Sequence, residues 1–268
     1  MNQNICKLCL ENLADSQESH IIPKFFTKSI FFGGGKHSSM QTIKIKNKIL
    51  GCLDTKPSQG GIKESYLFCK GCENYFAELD TYFCNNIYAP IRNKEKFFED
   101  FEILLNRYKS IVCKNASVNM VDLFIFSIIF RCKVSNHDLF KIIKIDSINN
   151  NKIRKCLIDS KMYTFHERKK NTSELTNYFF GYLLIIQEEN NNPKSNFVSV
   201  HNKLSEDSCV LILNDFILTF YFRDNKKPFA ESLNDGINNI QIVCLSEIEF
   251  DSIKSTDINN ALVKNKRN

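Results

Sequence analysis

Apolar residues recur along this chain with two different periods, and the change from one to the other separates its regions. After Cys72, the residues Tyr75, Phe76, Leu79, Tyr82 and Phe83 share one side of a 3.6-residue repeat. Glu73, Ala77, Asp80 and Thr81 take the other, which predicts an amphipathic helix with an acidic outer side. A similar spacing through Phe97, Phe98, Phe101, Leu104, Leu105 and Tyr108 predicts further helix, and the apolar run 121–130 predicts a buried helix. Beyond residue 178 the texture is that of strands. Residues 179–186, 197–200, 210–213, 216–222 and 240–245 are β-branched or aromatic and are bounded by Asn, Asp, Gly and Pro. Asn214-Asp215 has the place and residue types of a hairpin turn.

The segment 6–83 is rich in loops, punctuated by Gly33-Gly34-Gly35 and Gly60-Gly61. Within it the alternation Thr42-Ile43-Lys44-Ile45-Lys46 predicts a strand, and Asn47-Lys48 before Ile49-Leu50 predicts the turn of a hairpin. A charged connector over 92–96 places a domain boundary near residue 95. The expected organisation is α+β: a small module over 1–95, then a helical and finally β-rich region over 96–268. No element is assigned to the polar loop 189–196 or the basic tail 252–268.

Composition narrows the class. Hydrophobic residues make up 43% of the chain and charged residues 25%, as in globular proteins that bury a core. The net charge of +6 suits a polyanionic partner without requiring one. No apolar stretch approaches the roughly 20 residues that span a bilayer, so no membrane association is expected. Eleven cysteines would suggest disulfides in a secreted chain. The polar start over 1–7 and the odd, scattered count favour reduced thiols and a cytoplasmic location instead.

The most specific feature is a pair of CxxC motifs, Cys6-Lys7-Leu8-Cys9 and Cys69-Lys70-Gly71-Cys72. Two residues between thiolates let both reach one tetrahedral Zn²⁺ from a tight knuckle, and four cysteines close the shell, so the expected site is structural. The other seven cysteines read as core residues. Gly33-Gly34-Gly35 is not followed by the Lys-Ser or Lys-Thr of a P-loop, so no phosphate cradle is expected there.

Taken together, CKLC, then Ser19-His20-Ile21-Ile22-Pro23-Lys24, a hairpin region, and Cys69 to Asn74 opening a helix resemble the zinc-containing branch of the HNH endonucleases. These are also called ββα-metal or His-Me finger nucleases. The resemblance covers roughly the first 85 residues, and 122–135 is similar to the stretch that follows this motif in bacterial HNH-like proteins. It implies a zinc-stapled ββα-metal module, with His20 ending the first strand and acting as general base. Glu73, directly after the last zinc cysteine, would ligate a catalytic Mg²⁺ or Mn²⁺. The implied reaction is hydrolysis of DNA phosphodiester bonds, with RNA a substrate the same residues would serve. A role as an effector of bacterial anti-phage defence is implied by the same analogy.

Two positions depart from the family pattern: Ser19 stands where an aspartate is usual, and Glu73 where an Asn or His is usual. Glu78 and Asp80 are further candidates for the cation. At 100° per residue Asp80 shares the face of Glu73, whereas Glu78 stands about 140° away, although a CE…E pattern accompanies the SHIIPK variant. Lys24, Lys44, Lys46 and Lys48 are candidate contacts to a nucleic-acid backbone; lysines alternating along a strand also serve as a solvated face. The second reading is a non-catalytic HNH-derived zinc scaffold that binds nucleic acid or a protein partner. Residues 96–268 would then regulate, select a target, or join a partner protein or a second copy.

Overall fold

The computed structural model describes residues 4–28, 40–45, 53–58, 62–92, 101–105, 109–170, 181–187, 198–201, 208–213, 216–222, 240–246, 248–250 and 252. In chain order the elements are β1 (Ser19–His20), α1 (Lys24–Lys28), β2 (Met40–Ile45), β3 (Leu53–Ser58), β4 (Lys63–Glu64), α2 (Lys70–Phe83) and α3 (Ala89–Arg92). They continue with β5 (Phe101–Leu105), β6 (Lys109–Cys113), α4 (Val118–Val134), α5 (Ser147–Lys161), α6 (Phe165–Lys170), β7 (Gly181–Gln187), β8 (Val198–His201), β9 (Ser208–Leu213), β10 (Phe216–Tyr221) and β11 (Ile240–Leu245). The class is mixed α+β.

Seven strands form one sheet in the order β5-β6-β11-β7-β10-β9-β8. Every neighbouring pair is antiparallel except β11 and β7. The strands expected beyond residue 178 are present, and Leu213 pairs with Phe216; the expected turn at Asn214-Asp215 lies outside the described residues. Alternation sorts their side chains. Leu211, Leu213, Phe216, Leu218, Phe220, Leu184 and Ile242 join the main buried cluster, while Ile212, Ile217, Ile185 and Val243 join a second one with Phe250. Both faces of the central strands are therefore apolar and covered, which explains their near-continuous hydrophobic runs.

Within the helix expected across 97–108, the described residues 101–105 form a strand instead, and the rest of the span lies outside the described residues. Phe101–Leu105 and Lys109–Cys113 are antiparallel strands, with Phe101 opposite Cys113 and Ile103 opposite Ile111. Five apolar residues within eight positions fit either period, and pairing along the edge of a large sheet decides in favour of strands. Helices α5 and α6 lie in a stretch for which no element was expected. Of the fifteen residues of α5 only Ile153, Cys156, Leu157 and Ser160 are buried, too thin a stripe to stand out in sequence. Its start is nonetheless well marked, since Asp146 accepts from the Asn149 backbone N–H at 2.7 Å.

The helices that follow the cysteine motifs do match expectation. α2 buries Cys72, Tyr75, Phe76, Leu79, Tyr82 and Phe83. α4 is buried nearly all round and lies between α2 and the sheet, with Phe126 edge-on to Phe220. Its first turn is capped by the Ser117 hydroxyl. α2 runs through a π-turn at Cys84–Tyr88 into α3, where Pro90 has no N–H to offer a continuing helix.

The N-terminal elements meet the sheet through stacked rings. Phe83 of α2 stacks on Phe124 of α4 with centroids 4.0 Å apart, and Phe26 of α1 and Phe83 both approach Phe216 of β10, at 5.3 and 5.9 Å. One buried cluster thus includes residues on both sides of position 95, from Cys6 through Phe83 and Phe124 to Cys244. β1 and β4 form a two-residue antiparallel ribbon ahead of α2, and β2 and β3 form the hairpin inserted between them. The expected turn at Asn47-Lys48 lies outside the described residues.

Phe83 is fully buried at this junction, so Phe83→Ala is expected to cost about 3–5 kcal/mol. The check is a urea titration, in which the midpoint should fall with little change in slope. A loss below about 1 kcal/mol would mean that the ring junction is not what couples the two halves.

Candidate functional site

The first CxxC lies in a tight loop closed by an isolated bridge between Ile5 and Leu13. Cys6 donates its N–H to Asn12 O at 2.9 Å, and Leu10, with φ of 60°, turns the chain back. The second CxxC opens α2: Cys69 O accepts from both Cys72 N and Glu73 N, which swings Cys72 round to face Cys69. Lys7 N donates to Leu67 O at 2.9 Å and joins the two knuckles. Asp15 accepts from Lys70 N at 2.8 Å and caps the helix from a distance.

The four sulfurs of Cys6, Cys9, Cys69 and Cys72 lie within 4.8 Å of one another, with Cys9 and Cys69 3.9 Å apart. A tetrahedral shell with Zn–S bonds of about 2.3 Å sets its sulfurs about 3.8 Å apart, so the donor set can hold a metal ion and is compatible with structural zinc. Six further described cysteines, Cys84, Cys113, Cys132, Cys156, Cys209 and Cys244, are buried or half-buried in the core and stand apart from this group.

Polar groups from elsewhere in the chain surround the sulfurs. Lys161 at the end of α5 donates to Cys72 Sγ at 3.3 Å, and Asn12 Nδ2 lies 3.8 Å from Cys9 Sγ and 3.9 Å from Cys69 Sγ. Arg154, earlier on the same helix, donates to Leu8 O at 3.0 Å. The hydrogen bond between Cys6 and Cys72 lowers the pKa of the Cys6 thiol and raises that of Cys72, and burial raises that of Cys69. Burial disfavours the Lys161 ammonium, but its hydrogen bond to Cys72 and the negative charge of Cys72, Cys69 and Cys9 together outweigh this and raise its pKa.

Beside this cluster lies a cavity of about 460 Å³ lined by His20, Lys24, Glu73, Phe76, Asp80 and Arg131, among others. His20 ends β1 and Glu73 occupies the first turn of α2, so the ribbon and the helix bring together two residues far apart in sequence. His20 Nε2, Glu73 Oε1 and Ser19 Oγ are all buried and make no hydrogen bond of normal geometry. Three such atoms in one place are unusual, because buried polar groups ordinarily find partners. Burial lowers the pKa of His20, reinforced by the positive charges of Lys63, Arg131 and Lys24 and opposed by Asp80. Burial raises that of Glu73, while the Ser19 hydroxyl and Arg131 favour its charged form.

Asp80 reaches the same cavity, as the helical wheel requires, but both its oxygens are taken by Arg131, at 2.7 and 3.0 Å. Glu78 does not reach it. Its carboxylate pairs with Arg168, and it lines a separate groove on the other side of α2. The 140° offset on the helix prevails over the expectation that ranked Glu78 beside Asp80. Lys24 lines the cavity; Lys44 is on β2, and Lys46 and Lys48 lie outside the described residues.

Arg131 was not anticipated. Its guanidinium donates to Asp80 through two nitrogens, to His20 O at 3.1 Å, to Ser127 O at 3.2 Å and to Ser127 Oγ at 3.2 Å. The available signal was an arginine within the apolar run of α4, since a charge in such a run is rarely buried unless paired. The identity of its partners was not readable. Comparison of the chain with protein-family models, curated proteins and solved structures found no match.

Arg131→Ala is expected to destabilise the fold by about 3–5 kcal/mol by stranding Asp80, and Arg131→Lys to recover only part of that, because an ammonium cannot reproduce the fork. Thermal melts of the two variants check this. Lys161→Gln is expected to speed metal release to a colorimetric chelator several-fold relative to the wild type, since groups beyond the ligands commonly change metal affinity about 10- to 100-fold. Unchanged release would mean that the lysine only packs there.

Proposed function

We propose that the protein is a metal-dependent endonuclease of the HNH type that hydrolyses DNA phosphodiester bonds, with His20 as general base. The observation that carries this reading is the convergence of His20 Nε2 and Glu73 Oε1, both buried and without a hydrogen bond of normal geometry, on one cavity that also holds Lys24. A short antiparallel ribbon followed by a helix, stapled by four cysteines at zinc spacing, is in keeping with it. Unpartnered donors and acceptors in a cleft are what a site that binds and activates a polar substrate requires.

His20, kept neutral by burial, would accept the proton of an attacking water. Arg131, by donating to the His20 carbonyl, fixes the backbone from which the ring projects. Lys24 would draw the anionic backbone into the cavity. Glu73 would hold a divalent cation, with Mg²⁺ or Mn²⁺ suited to its carboxylate oxygens, and that ion would supply charge neutralisation at the scissile phosphate. The cysteine cluster, as a zinc site, would serve only to hold the two knuckles together. The cutter would be the cysteine-bearing part of the chain, and anti-phage defence is the setting proposed for it.

A second reading is favoured by one set of facts. Ser19 is fully buried where the family pattern has an acid, and Asp80 is held by Arg131 through both oxygens. Among the described residues, the four cysteines form the group of three or more donors close enough to share a metal. A zinc scaffold that binds nucleic acid or a protein without cutting would have this composition.

The deciding test is nicking of supercoiled plasmid with added Mg²⁺ or Mn²⁺, after elemental analysis. One zinc per chain is expected, with cleavage reduced about a hundredfold or more in His20→Ala and Glu73→Ala. Zinc-loaded, folded protein that never cleaves but binds the plasmid would support the scaffold. The pH profile gives an independent check. Burial and the positive charges of Lys63, Arg131 and Lys24, from three elements, outweigh the opposing Asp80 of α2 and lower the pKa of His20; Glu73 lines the same cavity. The neutral base should therefore persist to below about pH 6.5, so the acid limb of kcat/KM is expected under that value; a limb above about 7 would argue against His20 as the base.

A further inference from the structure

We infer that the groove on the opposite side of α2 is a subsite for an unstacked nucleobase of the substrate strand, with Phe165 as its stacking platform. This inference rests on the nuclease reading and deepens it, because it makes single-stranded or locally unpaired nucleic acid the preferred substrate.

The groove, about 430 Å³ in volume, is lined by Asn74, Tyr82, Asn85 and Phe165 together with the Arg168-bound Glu78. It shares Ala77, Thr81 and Asn85 with the His20 cavity, so the two depressions flank a single helical ridge. A helix with its side chains is about 10 Å across. A strand covers that width within about three nucleotides even at the stacked spacing of about 3.4 Å. A phosphate at His20 and a nearby base at Phe165 are thus compatible with one continuous strand.

The lining has the chemistry for a base. Phe165 is 43% exposed although it is an aromatic at the start of a helix, and Tyr82 braces its ring at a centroid distance of 6.0 Å. Tyr82 is itself fixed, its hydroxyl accepting from Ser117 N at 2.7 Å. A rigid, exposed ring offers a π-face that any base can stack on. The amides of Asn74 and Asn85 can both donate and accept, as the polar edges of bases require. Beyond the ring, Lys169 and Lys170 are exposed on α6, so positive charge stands on the helix that carries Phe165. Glu78 adds no free negative charge, since Arg168 neutralises it.

The test is fluorescence anisotropy with a short fluorescein-labelled single-stranded DNA and with the matching duplex, on full-length protein without added divalent cation. Phe165→Ala is expected to weaken single-strand binding about tenfold and to leave duplex binding unchanged, whereas Phe165→Trp retains single-strand affinity. Melting curves for both variants should match the wild type, because the ring is exposed. Equal single-strand affinity of Phe165→Ala and wild type overturns the subsite and leaves the nuclease reading standing. An equal loss on single strand and duplex overturns the preference for an unpaired base. Absence of binding to either DNA by the wild-type protein overturns both.

Discussion

Arg131 is the point on which the geometry of the cavity depends. A guanidinium has five N–H donors and no acceptor, and here they meet the Asp80 carboxylate, the His20 carbonyl and the carbonyl and hydroxyl of Ser127. A single buried cation therefore ties together the ribbon that carries His20, the helix that carries Glu73 and the helix that packs on the sheet. Its side chain is only 2% exposed, so its charge has no recourse to water, and each partner must stay in place. Asp80 is then a positioning residue, and the acidic side of α2 is divided between structure and chemistry, with Glu73 Oε1 buried and facing the cavity.

The cysteine cluster acts on the same elements from the other end. It holds the start of α2 against the first knuckle, while α5 reaches over both through Arg154 and Lys161. The cavity thus lies between a sulfur cluster and an arginine fork, each of which fixes one portion of α2. The aromatic junction of Phe26, Phe83, Phe124 and Phe216 completes the frame by fastening that helix to the sheet. Three different interactions, coordination-ready sulfurs, a charged hydrogen-bond network and ring stacking, converge on one helix.

What could be read from the sequence was what is local. The CxxC spacing, the apolar side of α2, the buried run of α4 and the strands beyond residue 178 each announce themselves within a dozen residues. The helical wheel also separated Asp80 from Glu78 correctly, and the analogy that ranked them together did not. The strand at Phe101–Leu105 was misread because its apolar residues satisfy two periods at once, and only the distant strands of its sheet decide between them. Arg131 lies 51 residues from Asp80 and 111 from His20, and no local pattern encodes such a meeting. Lys161 and Arg154 escaped notice for the same reason, as two cations on a thinly apolar helix.

The long reach of Arg131 has a consequence for the order in which the molecule is made. Both cysteine pairs, His20 and Glu73 have left the ribosome before α4 begins, so the knuckles can close on an early and incomplete chain. The wall of the cavity cannot form then, because its guanidinium has not been synthesised, and the sheet that supports α4 waits for β11 near residue 245. A nascent or truncated chain would thus carry an assembled sulfur cluster beside an unassembled pocket. The capacity to bind metal precedes the capacity to shape a site around a substrate, and the second is withheld until nearly the whole chain exists.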